Sequence, residues 1–579
     1  MQGAFPNAPQ TKGCFGRVEA AGKNMNLPKS LANNSTLSGY PTETDSFSGK
    51  LKAYDLLVIA VCLASFGCSW LESVVNNDYS HWAWYYVPAL DLFRGAVPYA
   101  DTLIPYGYLS SVIQRFSLVV FGERLLSIGI ITGLFYSFSL FLSYLVFIKF
   151  MKKSLAFVSV LLIFLIHPYI IYPAPNYFVY PFQLLALIFF LRYSQNSYYA
   201  FLAGFFLAAS ILCRFSSVIA ILPPFLILIV RDYFAVSGSK TFIVKKTAWL
   251  SSGFLIPVIL FFTYLAAHAA LDDFFYQNKM MIQVMGRVGD TNTYLAFLGS
   301  VLQIIRTLAS DFRGKLFTLI LIVCLFIIIR EAMQKLSGKN VKSEYANDTI
   351  IALCLVVIFG FLNSLHVYET FRLINGASLG IGLCVFVFYN VFVKAAKPLK
   401  FFMALLSILL FLILSSTLFF TKTSSAYYPW SMDFMMHNGI KNETISIFKG
   451  KMMTKECIDF YQDVFNTIEP YKDSHYVLNY SWDYASFINN SLPRIQRSPA
   501  HFPWLDDTYK QAVLIDSKKT VILVDRVMDF SGYQEIFGKQ WPIEIPWVGG
   551  DYLFIYAPVK TSSGDRMSPE PLGKASGSN

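Results

Sequence analysis

Apolar runs recur along the chain from about residue 56 to residue 420, each broken by a short polar or basic stretch. A helix of about 20 residues crosses the hydrocarbon core of a bilayer. With no water there to satisfy peptide groups, each run must be helical. The pattern predicts eleven spans, at 56–72, 125–148, 155–172, 177–191, 198–213, 216–230, 248–268, 316–329, 350–363, 375–393 and 401–420. Around Pro168, Pro173, Pro175 and Pro181 a helix is expected to break and re-enter, because proline frees backbone groups that neighbouring helices must satisfy. Residues 1–53 are rich in Asn, Ser, Thr, Gly and Lys and read as a disordered cytoplasmic tail. It carries no cleavable signal, so the first run is read as an anchor that stays. The spans make up a membrane domain over 54–420. After residue 420 polarity rises, and YVLNY (476–480), TVILVDRV (520–527) and DYLFIYAP (551–558) have the length and β-propensity of strands. With helices expected at 443–468 and 482–490, residues 421–560 read as a small α/β domain, followed by a disordered tail at 561–579. The fold class is therefore an α-helical polytopic membrane protein with a small extracytoplasmic α/β C-terminal domain.

Composition agrees with the pattern. Of 579 residues, 55% are hydrophobic and 14% charged, against roughly 25% charged in a soluble domain. The formal net charge is +11. No basic cluster interleaves with a soluble recognition fold, so no nucleic acid is expected as a partner. The basic residues instead follow alternate spans: Lys149, Lys152 and Lys153; Arg231, Lys240, Lys245 and Lys246; Arg330, Lys335, Lys339 and Lys342; Lys394, Lys397 and Lys400. All fall on one side when the N-terminus is cytoplasmic, as the positive-inside rule requires, and Lys50 and Lys52 agree. Loops 73–124 and 269–315 and everything after about 421 are then extracytoplasmic, and the protein is expected to be integral to the cytoplasmic (inner) membrane. Eight cysteines, mostly in or beside apolar runs, suggest small packed hydrophobes and no disulfide framework or thiolate metal site.

Candidate chemistry gathers in the first outer loop, NNDYSHWAWYYVPALDLFRGAVPYADTLIPYGYL (76–109). Asp78 follows the first span within a few residues, at the membrane–water boundary. A carboxylate there can take the proton of an attacking hydroxyl or stabilise an oxocarbenium-like transition state; it can equally cap a helix. Asp91, which can pair with Arg94 on one helical face, and Asp101, in a turn-like VPYADT, compete with it. Spacing does not choose among the three.

An acid after the first span, an amphipathic stretch, then Gly95, Pro98, Tyr99, Asp101 and the Tyr106–Gly107–Tyr108 step resembles the first periplasmic loop of GT-C-type glycosyltransferases. These are multispanning enzymes that use polyprenyl-phosphate sugars, and include protein mannosyltransferase-like and aminoarabinose-transferase-like members. FLAGFFLAASILCRFSS (201–217) resembles their Gly-rich span ending in a basic residue, and HAALDDFF (268–275) the segment leaving their next outward span. The motif likeness covers roughly residues 54–275. It implies a GT-C-like fold and transfer of a monosaccharide, hexosyl or pentosyl, from a polyprenyl-phosphate carrier to an extracytoplasmic acceptor (cell-envelope glycan, glycolipid or protein), with inversion. Asp78 maps onto the catalytic acid and Arg214 onto the basic residue that neutralises carrier phosphate. Where family members carry closely spaced acids, Asn77 stands here, so no metal and no other cofactor is expected.

Other residues of interest have a plainer reading beside the functional one. Arg214 sits at membrane depth, where a phosphate can partner it or it can snorkel to headgroups. Arg372, in NSLHVYETFRLING (363–376), can approach a phosphate or pair with Glu369. Tyr79, His81, Tyr99 and Tyr106 are candidate substrate contacts within an interfacial aromatic belt. His167 can line a cavity, and Asn442–Glu443–Thr444 fits a glycosylation acceptor pattern. Two other functions remain: a lipid-linked glycan transporter without chemistry, disfavoured because the candidate groups gather at the outer boundary and no internal repeat is evident, and an oligosaccharide polymerase or ligase.

Overall fold

The computed structural model describes residues 53–76, 79–167, 173–193, 195–235, 240–287, 312–336, 348–362, 376–423, 432–472, 476–481, 487, 520–542 and 551–559. Every predicted span coincides with a helix: α1 (Ala53–Val75), α4 (Leu125–Phe147), α5 (Lys153–Ile166), α6 (Asn176–Phe190), α7 (Ser197–Cys213), α8 (Val218–Ala235), α9 (Lys240–Ala267), α11 (Phe312–Leu336), α12 (Asp348–Leu362), α13 (Leu379–Lys394) and α14 (Lys397–Thr423). Among the described residues five stretches are long and apolar enough to cross a bilayer, Ala53–Val75, Leu125–Phe147, Phe215–Phe234, Lys240–Ala267 and Lys315–Met333, besides several shorter apolar helices. The chain is a polytopic membrane protein.

Small residues let these helices approach. Ser65, Ser69 and Ser73 line one face of α1, and a Cβ built on Gly129 or Gly133 of α4 would lie 2.5 Å from Ser73 Oγ or 3.0 Å from Ser69 Cβ. The α7–α9 seam is tighter: a Cβ on Gly204 would fall 1.9 Å from the Leu250 carbonyl oxygen, and one on Gly253 2.0 Å from that of Phe201. Close backbone approach through glycine and serine is how helices associate where lipid supplies no hydrophobic drive.

Basic residues from several predicted inner loops meet at one end of the bundle. Lys153 pairs with Asp55 at 2.9 Å, and Tyr144 donates to the same carboxylate at 2.6 Å. Lys152 lies over the Tyr389 ring, Tyr193 bonds Asp232, and Lys246 reaches Ser197 at 3.4 Å. Burial, aided by nearby Arg192, draws the Lys149 ammonium below its ordinary pKa.

The opposite end carries two helices that the apolar-run pattern left inside a loop, α2 (Tyr79–Phe93) and α3 (Tyr108–Phe121). Both ends of α3 lie on that side: its start packs on the end of α7 and its end leads through Gly122–Arg124 into α4. The C-terminal region holds α15 (Met432–Asn438), α16 (Lys455–Ile468) and a four-stranded sheet of order β3-β4-β6-β5, built from β3 (Tyr476–Tyr480), β4 (Thr520–Val524), β5 (Tyr533–Gln540) and β6 (Tyr552–Pro558). The β3–β4 pair is parallel and the others antiparallel. The helix expected from residue 443 starts only at Lys455. Before it, β1 (Ile440–Lys441) and β2 (Met452–Met453) form a small hairpin. Asn442 Oδ1 accepts from the amides of Thr444 and Ile445 at 2.9 and 3.0 Å. Such side-chain to backbone bonds compete with helix. Asn442, in the glycosylation acceptor pattern, is buried and its side-chain oxygen is engaged in that turn.

Candidate functional site

Three segments remote in sequence meet at the end of α7. The first is the turn Tyr106–Gly107–Tyr108 that opens α3. Gly107 lies so close to α7 that a Cβ there would be 2.4 Å from the Leu212 carbonyl oxygen and 2.5 Å from that of Cys213; only glycine fits. Ser110 Oγ donates to the same Cys213 carbonyl at 2.8 Å. The second is Arg214 itself, extended at φ −160°, ψ 114° between α7 and the short turn Phe215–Ser217. Its amide bonds Ser210 at 3.2 Å and its carbonyl accepts from Ser217 at 3.0 Å. The third is the start of α6, where Asn176 follows Pro175. Gln114 Nε2 ties this segment to α3 through the Pro173 carbonyl at 3.1 Å.

Arg214 therefore stands almost wholly buried, 7% exposed. Its Nη1 donates to Asn176 Oδ1. The guanidinium carbon lies 5.7 Å from the centre of the Tyr106 ring, and Tyr106 stacks on Tyr85 of α2 at 5.7 Å. A guanidinium stays protonated and presents five N–H donors in a planar fork. An amide oxygen and an aromatic face help orient that fork. A guanidinium fork matches the oxygens of a phosphate. Tyr106 and Arg214 come together as candidate donor contacts, while Asn176 and Tyr85 are additions that sequence reasoning missed. No spacing announced Asn176; a polar residue directly after the Pro173–Ala174–Pro175 break was the only hint.

The rest of the loop is folded on itself. Thr102 Oγ1 donates to Asp91 Oδ2 at 2.5 Å, and Asp101 Oδ2 accepts from the Val97 amide at 2.7 Å. Tyr99 has a positive φ of 67°, a conformation that non-glycine residues rarely adopt. It is held by its amide on the Thr102 carbonyl at 3.1 Å and by its ring, 5.0 Å from that of Phe274. Burial pushes the Tyr99 phenol well above its ordinary pKa. Gln277 of α10 (Leu271–Arg287) closes the loop: its Nε2 donates to the Tyr99 carbonyl at 2.6 Å, and its Oε1 accepts from the Ile104 amide at 3.2 Å. Asp91, Tyr99 and Asp101 thus shape the loop. Arg94 pairs with Glu123 at 3.5 Å. Asp78 and Arg372 lie outside the described residues. Tyr79 and His81 stand in the first turn of α2, with their side chains outside them too.

Beside this assembly, buried polar groups collect inside the bundle. Glu72, in the last turn of α1, is 2% exposed. Tyr136 of α4 has its ring 4.4 Å from the His167 imidazole and 5.9 Å from Tyr177. Sequence could have flagged Glu72, since a carboxylate at the end of an apolar run is costly at membrane depth. Among the described residues no group of three or more His, Cys, Asp and Glu side chains is arranged to hold a metal ion.

No family model matches the chain, and no curated protein sequence does. Among solved structures, it is similar to two crystal structures of the Archaeoglobus fulgidus oligosaccharyltransferase. To the apo form the TM-score is 0.48 at 12% identity, over 82% of this chain and 69% of that one. To the form tethered by a disulfide to an acceptor peptide containing the NVT sequon it is 0.47 at 12% identity, over 81% and 69%. At such TM-scores the likeness assigns no role to any residue here.

Proposed function

We propose that this protein is a membrane glycosyltransferase of the GT-C type, moving a monosaccharide from a polyprenyl-phosphate carrier to an extracytoplasmic acceptor. The observation that carries the reading is the buried Arg214 guanidinium, set between Asn176 and Tyr106 where the first outer loop closes on the end of α7. The two segments that meet there are among those whose residues resemble the glycosyltransferases, and they are far apart in the chain. The carrier's tail lies among the helices with its phosphate at Arg214. Asp78 takes the proton of the acceptor hydroxyl, and the sugar inverts in one displacement. Carrier phosphate is already a fair leaving group, so positive charge beside it contributes more than a proton donor. No metal is required. The basic end of the bundle faces the cytoplasm, and the C-terminal region, on the other side, contributes to acceptor binding.

The test is purified protein in lipid nanodiscs with a polyprenyl-phosphate sugar. Transfer releases carrier phosphate in proportion to glycosylated acceptor, whereas a transporter moves the lipid without releasing it. Whole-glycan transfer from a lipid-linked oligosaccharide, with none from the monosaccharide donor, would make the protein a ligase instead. Asp78→Asn is expected to accumulate and melt like the parent while losing transfer, about a hundredfold or more for a general base. Normal turnover in that variant moves the assignment to another acid.

A further inference from the structure

The end of α1 has a partner from far along the chain. The last carbonyls of a helix lack intrahelical donors, and they favour a nearby cation. No basic residue stands in the last turn of α1. Lys451 supplies one: its Nζ donates to the carbonyls of Ser73 and Asn76, both at 2.6 Å. The same ammonium lies 4.2 Å from the centre of the Trp82 ring in α2, and Trp82 Nε1 donates to Asn76 Oδ1 at 3.3 Å. One cation therefore grips Asn76 and Trp82, which flank residues 77–81. Lys451 is 0% exposed, so its ammonium does not snorkel to water. Burying it is costly without partners, and these contacts offset the cost.

The hairpin presents the lysine rigidly. The Asn442 amide donates to the Lys451 carbonyl at 2.8 Å, and the Gly450 amide to the Asn442 carbonyl at 2.7 Å. Gly450 takes φ +87° and packs so close to Leu126 of α4 that a Cβ would stand 2.8 Å from Leu126 Cδ1. Phe448 anchors the turn, with its ring 4.9 Å from that of Tyr461 in α16.

We infer that Lys451 is a positioning residue that holds, from the C-terminal region, the end of α1 against the start of α2, the two helices joined by the link that carries Asp78. This rests on the reading above in taking Asp78 as the reacting group.

The experiment uses the full chain in nanodiscs. Asn77→Cys is labelled with a membrane-impermeant maleimide and the modification at position 77 is followed by mass spectrometry, with and without Lys451→Met. In parallel, kcat and KM for donor are measured with Asn77 intact. Loss of charge-assisted bonds predicts about tenfold faster labelling and about tenfold lower kcat, with donor KM unchanged. Lys451→Arg, which keeps the charge, recovers part of both. An unchanged labelling rate overturns the inference, and so does faster labelling with parental kcat. If the parent transfers no sugar, the glycosyltransferase reading fails on its own and labelling still decides whether Lys451 holds the flanks. Should Lys451→Met not accumulate, Trp82→Leu takes its place with the same readouts.

Discussion

Arg214 shows how one side chain acquires a role from its neighbours. Its charge is fixed by chemistry, but its direction is set by the Asn176 amide and the Tyr106 ring. A lysine carries the charge without the planar fork. Arg214→Lys is therefore expected to weaken binding of a fluorescent polyprenyl phosphate by about tenfold, and Arg214→Met by more, from the loss of charge-assisted hydrogen bonds. Equal affinity in parent and both variants would remove the phosphate from this site. Sequence marked Arg214 and Tyr106 separately, each with a plainer alternative. Asn176 and Lys451 stayed hidden because nothing local distinguishes a polar residue that meets a distant partner from one that meets solvent. Asp91, Tyr99 and Asp101 gain contacts within their own loop. Their residue types suggested substrate contacts, and the folded loop engages them in hydrogen bonds and ring packing of its own.

At the scale of elements, small residues decide how near the helices stand. Gly204 and Gly253 set the α7–α9 seam and so the place where α7 ends at Arg214. Gly204→Ala puts a methyl into the Leu250 carbonyl, and overpacking of this kind costs about 1–3 kcal/mol. A melting point several degrees lower is expected in detergent. Gly67→Ala on α1, where a Cβ meets nothing within 4 Å, is the matched control and should melt no lower than the parent. Helix positions were legible because each apolar run is a local property. The starts of α2 and α3 were not, since aromatic and apolar residues in an outer loop read alike as belt or helix. The hairpin before α16 was missed for another local reason: Asn442 captures two amides that a helix would have used.

The whole molecule has two chemically different ends. Asp55, Tyr144, Lys153, Tyr193, Asp232 and Lys246 mark one, and Asn76, Asn176, Arg214 and Lys451 the other. In the proposed topology the first end faces the cytoplasm. In intact cells an impermeant thiol reagent should label Lys441→Cys, on the exposed β1, and should reach Lys397→Cys, at the start of α14, only after permeabilisation. Labelling in the reverse order would invert the topology and with it the placement of the proposed chemistry.

The amino-acid sequence alone determined where the apolar helices lie and how the basic residues are segregated between them. Each follows from the bilayer acting on a short stretch of chain, one run at a time. Tertiary structure decided which residues face one another: an arginine at the end of one helix and a tyrosine from the first outer loop, and a lysine bonded to a carbonyl 378 residues away. Such pairings depend on how whole helices pack, and packing is governed by small differences in shape summed over many contacts, which no window of sequence contains.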